Sequence, residues 1–155
     1  MNEDFRDLIA ALLETGARFL IVGAHAMAVH GVPRATGDLD VWIDRERGNA
    51  ERVWRALLAF GVPIESLDVS KEDLERADTV VQIGVPPRRI DVLTAITGVD
   101  FETAWEGRVS HVIGNLEVSF IGRREFLRNK RATGRLRDLA DVDALEREEG
   151  GGLSS

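Results

Sequence analysis

Two aspartates separated by one residue, Asp38 and Asp40, stand at the head of the apolar segment "LDVWI". In a strand, alternate side chains project from one face, about 6–7 Å apart along the chain. Leu39, Val41 and Ile43 then share one face, while Asp38, Asp40, Trp42 and Asp44 share the other. Carboxylates held side by side repel unless a cation sits between them. Magnesium answers that need: it is hard, prefers oxygen, and takes one or two carboxylates together with substrate phosphates. A third acid, Asp91, lies inside the apolar "IDVL", where an unmatched charge is costly. If that segment lies beside 38–44, Asp91 completes a cluster able to bridge two metal ions. Such a pair clamps the attacking and leaving oxygens of an in-line displacement. The plainer alternatives are a solvated Asp-x-Asp face and an Asp91 paired with Arg89.

A glycine turn upstream favours the metal reading. Gly23 ends the apolar run "RFLIV" and Ala24 opens an Ala-rich helix. A small residue there lets backbone come close to a ligand, and a helix start offers free N–H groups and a positive dipole end. Gly23 and Ala24, then Arg34 and Thr36, then the acidic pair each suit one portion of a metal-bound nucleoside triphosphate. Lys130 is a further candidate for the triphosphate. It lies in the segment 123–137, whose seven basic residues and one acid give +6, so the rest of a chain of net charge −7 sums to −13. Arginines suit phosphate because their planar fork holds two oxygens at once; a solvated helical face is the alternative.

Other residues read as structural. His25 and His30, five apart, do not share a helix face, so packing or helix-end roles are expected. His111 reads as an ordinary strand residue, and Trp42 as packed under a helix rather than stacked on a base. Asp138 and Asp141 are expected to pair with Arg137 or Arg131.

The elements that must position these groups follow from periodicity. Phe5, Leu8, Ile9, Leu12 and Leu13 give a helix over 3–15, stopped by Gly16. Strand 18–22, helix 24–30, strand 38–44 and helix 49–60 follow, the last with Asn49 as N-cap and Gly61 as C-cap. Ser70 opens a capping box with Asp73. Segments 79–85 and 88–96 form an antiparallel hairpin around Pro86-Pro87, and Gly114-Asn115 turns a second hairpin. Short helix 100–107 lies between the hairpins, and helices 123–132 and 136–147 follow, parted by Gly134. The order predicts the α+β class: a mixed sheet with helices packed on it, as a single domain over 1–148 with a disordered tail at 149–155.

The absence of cysteine excludes disulfides, thiolate metal sites and cysteine nucleophiles. The negative net charge argues against general nucleic-acid binding. The apolar runs are too short to span a bilayer and the N-terminus is acidic where a signal peptide is basic, so a soluble cytoplasmic protein is expected.

The string "IVGA", thirteen residues and "DLD" resembles the signature of the polymerase-beta-like nucleotidyltransferase superfamily, with Asp91 in the place of its third acid. The fuller strings "VGAHAMAVHGVPRATGDLDVWI", "RRIDVLTAITGVDFETAWEGRV" and "FLRNKRATGRLRDLADVDAL" look like the small stand-alone bacterial members related to abortive-infection toxin and antibiotic nucleotidyltransferases. The resemblance implies a nucleotidyltransferase-like mixed sheet and a Mg2+-dependent enzyme using two ions. It would move a nucleoside monophosphate from an NTP, ATP among them, to a hydroxyl of tRNA, a protein or a small molecule such as an antibiotic. Asp38 and Asp40 would hold both metals and Asp91 the catalytic one, with Gly23, Ala24, Arg34, Thr36 and Lys130 on the nucleotide. A homodimer is allowed for. Ala24 stands where many members carry Ser or Gly. It offers no hydroxyl, which leaves open a catalytically degenerate nucleotide- or partner-binding protein of a toxin–antitoxin system. A metal-dependent nuclease would need clustered carboxylates too.

Overall fold

The structure, a computed structural model, describes residues 1–34, 37–63 and 67–154, the last six of these as backbone only. The apolar runs become six strands: β1 (Phe19–Val22), β2 (Leu39–Ile43), β3 (Val80–Ile83), β4 (Ile90–Leu93), β5 (Val109–Ile113) and β6 (Leu116–Phe120). They form one sheet in the order β3-β4-β2-β1-β6-β5. The two expected hairpins, β3/β4 and β5/β6, are its antiparallel outer pairs. Inside, β1 and β2 pair antiparallel, while β2/β4 and β1/β6 pair parallel. The class is α+β: a mixed sheet flanked by helices in a single domain.

The helices are α1 (Glu3–Glu14), α2 (Gly23–Val29), α3 (Arg47–Phe60), α4 (Phe101–Glu106), α5 (Arg123–Thr133) and α6 (Leu136–Ser154). Helix α1 buries Phe5, Leu8, Ile9 and Leu12 of the expected stripe, leaves Leu13 at its edge exposed, and is N-capped by Asn2. The capping box at Ser70 and Asp73 forms, opening a single 3-10 turn, Lys71–Glu75. Gly134 takes a left-handed conformation at the α5 C-terminus, so α6 can reverse direction there. Helix α6 carries helical backbone into the segment read as a tail. Among the described residues no helix is long and apolar enough to cross a membrane.

One expectation changes. Glu46, not Asn49, caps α3, its carboxylate accepting from Gly48 N at 2.9 Å and Asn49 N at 3.1 Å. Asn49 is one turn in and buried. It accepts from Arg18 N at 2.7 Å and donates to Arg18 O at 3.1 Å and Asp44 O at 2.6 Å, tying α3 to the edges of β1 and β2. A carboxylate two or three residues ahead satisfies the orphan N–H groups at a helix start as well as Asn does, which frees Asn49 for a site where both its donor and acceptor are used.

The sheet faces follow the alternation. Leu39, Val41 and Ile43 are fully buried, and Ile90 and Val92 stand beside them on β4. The opposite face carries Asp40 and Trp42 of β2, and Asp91 and Leu93 of β4. Trp42 is buried edge-on against Phe101 of α4 at 5.2 Å, as expected of an indole under a helix.

Candidate active site

The parallel pairing of β2 with β4 aligns Asp40 with Asp91. Asp38 precedes the strand on the same side, so the three acids meet at one end of the sheet. Burial is the main influence on Asp40, followed by the charges of Asp91 and Asp38; together they push its carboxyl up to about 6. Arg89 is the counter-charge. Its Nε donates to Asp91 at 2.8 Å, Nη2 lies 3.3 Å from Asp38, and its backbone N–H donates to Asp38 at 3.1 Å. The Arg89–Asp91 pair expected as the plainer alternative therefore exists, but inside the three-acid cluster rather than in place of it.

Gly23 explains itself here. It has φ +70, and a Cβ on it would overlap the Asp40 carboxylate. Only glycine suits both conditions. The turn that ends β1 is thus pressed directly against the middle acid.

Beside Asp40 opens a cavity of about 670 Å3. Gly23, Ala24, Arg34 and Lys130 line it, so four of the five residues assigned to nucleotide sit together with Asp40. The fifth, Thr36, lies outside the described residues. Asp38 and Asp91, beside Asp40, are not among the residues that line the cavity. The far wall comes from α5 and α6, and includes two residues given only a pairing role from the sequence, Asp138 and Asp141. They do pair, but with other partners. Asp141 binds Arg34 and sits 2.8 Å from Lys130 Nζ; Asp138 accepts from Arg135 Nε at 2.7 Å and lies 3.7 Å from Lys130. Arg131 instead reaches Glu146. Burial pushes Asp138 up, yet the Arg135 hydrogen bond and the charges of Arg135 and Lys130 outweigh it and hold the carboxyl below its usual value. The signal in the sequence was the i,i+3 spacing of Asp138 and Asp141, which puts both on one helix face; what faced them was not readable.

The histidines are structural, as expected. His25 is buried edge-on to Phe5 at 5.7 Å, and burial lowers its pKa. His30 caps α2 and its Nε2 lies 2.8 Å from Ile121 O. His111 is a residue of β5.

Three carboxylates against one guanidinium leave an excess of two negative charges, and every available donor is oxygen. That set fits a hard divalent cation. Among the described residues no group of three or more Asp, Glu, His or Cys is placed to hold a metal ion; in this arrangement Arg89 takes up the oxygens of Asp38 and Asp91.

No family model and no curated protein matches the chain. Among solved structures, it is similar to the crystal structure of a Thermotoga maritima protein provisionally assigned as a nucleotidyltransferase. The identity is 13% over 95% of this chain and 91% of that one, with a TM-score of 0.57. At that identity the likeness concerns architecture, and the architecture is nucleotidyltransferase-like.

Proposed function

We propose that this chain is a Mg2+-dependent nucleotidyltransferase that moves a nucleoside monophosphate from an NTP to an acceptor hydroxyl and releases pyrophosphate. The observation that carries the reading is the β2/β4 register, which sets Asp40 against Asp91 beside a glycine turn that admits no side chain.

Asp38, Asp40 and Asp91 would hold two Mg2+ ions. Bound there, the ions would neutralise triphosphate charge and make the acceptor hydroxyl more acidic. Asp91 receives the proton of that hydroxyl as its oxygen forms the bond to the α-phosphorus and the bond to the β-phosphate oxygen breaks. Gly23 and Ala24 offer backbone to the phosphates. Arg34 and Lys130 face the same cavity and are held by Asp141, so they can lend charge to phosphate oxygens without leaving the wall. Asp40, with its carboxyl near 6, is mostly ionised at neutral pH and ready to act as a ligand.

The experiment incubates the protein with each labelled NTP, Mg2+ and separate pools of tRNA, cell extract proteins and antibiotics. Label appears in one pool, which names the acceptor class, and Asp38→Ala and Asp40→Ala each abolish it. Full activity in those variants would sink the assignment of roles. Mg2+-dependent NTP binding with no transfer to any pool would favour the degenerate binding protein, the reading to which the missing hydroxyl at Ala24 points. Cleavage of nucleic acid without NTP would favour a nuclease.

A further inference from the structure

Arg89 stands where a cation belongs. Its Nε and Nη2 donate to the two oxygens of Asp91 at 2.8 and 3.2 Å, a fork on one carboxylate. Nη2 also lies 3.3 Å from Asp38 Oδ2, and the backbone N–H of Arg89 donates to Asp38 Oδ1 at 3.1 Å. All four oxygens of the two outer acids are therefore engaged by one residue. Asp40 receives only the longer-range attraction of that guanidinium. A divalent ion bound by these acids needs the oxygens that Arg89 occupies, and the two positive groups would repel at such short range.

We propose that Arg89 is an exchangeable counter-ion. It holds Asp38 and Asp91 together while the site waits, yields them to the divalent cation, and turns its fork to the polyphosphate that arrives with the cation. Three features carry this. The side chain is 28% exposed, so it can swing without opening the core. Its fork matches phosphate oxygens as well as it matches a carboxylate. Exchanging one positive charge for two brings the cluster closer to neutral. The consequence is that the free protein binds a divalent ion weakly, and that ion and polyphosphate assist each other through one residue. The polyphosphate half rests on the nucleotidyl-transfer reading; the cation half does not.

Titration of the protein with Mn2+ alone, followed by the electron paramagnetic resonance of the free ion, tests the cation half. Arg89→Gln binds Mn2+ at least about tenfold more tightly than the parent protein, because the competitor is gone. Thermal melting reports the same exchange: Arg89→Gln melts lower in EDTA and gains more from Mn2+ than the parent does. Arg89→Lys keeps the charge without the fork and falls between the two, which serves if the Gln variant folds poorly. For the polyphosphate half, α,β-methylene analogues of the four NTPs bind Arg89→Gln more weakly than the parent at saturating Mn2+. Mn2+ binding to Arg89→Gln that is no tighter than to the parent, but is lost on adding Asp91→Asn, overturns the role of Arg89 and leaves the metal site standing. Mn2+ binding that ignores Asp91 in every background removes the metal site, and with it both the exchange and the proposed function.

Discussion

Replacing Asp40 by Asn tests the electrostatics of the site most directly. The carboxyl is pushed up from 3.8 to about 6, first by burial and then by Asp91 and Asp38. The folded state therefore holds that proton more tightly than the unfolded chain does, and ionising Asp40 costs stability. A shift of roughly two units corresponds to about 3 kcal/mol at most. The cost is absent below pH 3.8, grows as pH rises from there to about 6, and is constant above that. Asn keeps the shape, carries no charge, and can donate its amide to Asp91. Asp40→Asn should accordingly be more stable than the parent by about 1.5–3 kcal/mol at pH 7–8, about 3–10 °C in melting temperature for a chain of this size. The advantage should vanish near pH 4. Thermal melts in EDTA across pH 4–8 measure it, and the same variant should lose nucleotidyl transfer. If Asp40→Asn is no more stable than the parent at pH 8, or if its advantage persists unchanged at pH 4, burial and like charge do not raise the Asp40 carboxyl as described.

Gly23→Ala places a methyl group on the Asp40 carboxylate at φ +70; it should cost about 1–3 kcal/mol of stability and depress transfer, read by melting and by the labelling assay. Asn49→Ala removes three partly buried hydrogen bonds between α3, Arg18 and Asp44 and should cost about 2–4 kcal/mol in urea denaturation. Lys130→Met takes one cation from Asp138 and Asp141 while Arg135 and Arg34 remain; about 2 kcal/mol should be lost at pH 7. The Asp138 carboxyl is held below its ordinary value, so its pairing contributes stability above that value and loses it as pH falls through the depressed one. The Lys130→Met deficit should therefore shrink at acid pH in the same melts.

Much of this was legible before any coordinates. The stripe of Phe5, Leu8, Ile9 and Leu12, the alternation in β2, and the turns at Gly114-Asn115 and Gly134 all express local periods and local backbone preferences. Asp38 and Asp40 were legible for the same reason, since their i,i+2 spacing fixes the face they share, and Gly23 was legible as the turn between an apolar run and an Ala-rich helix. What was not legible is what lies across from what. Asp91 is about fifty residues from Asp40, and nothing in either strand says that they pair in parallel at that register. The partners of Asp138 and Asp141 come from three elements, and their choice of Arg135, Lys130 and Arg34 over Arg137 and Arg131 depends on how α6 rolls against α5. Asn49 looked like a cap because its type suits one; Glu46 took that role, a competition that side-chain preference alone does not decide.

The register that makes the site is set by the other side of the sheet. Side chains alternate, so slipping β2 by one residue against its neighbours would turn Asp40 into the core and Val41 toward the cavity. Leu39, Val41, Ile43, Ile90 and Val92 resist that slip; each is nearly or fully buried and contributes about 1.5–3 kcal/mol by being so. Together they exceed the roughly 3 kcal/mol at most that burial and the neighbouring carboxylates together cost Asp40. The fold can therefore hold like charges in contact without help from the site itself. The repulsion that remains is not a flaw in packing but a standing affinity for positive charge, partly satisfied by Arg89 and available to whatever cation displaces it.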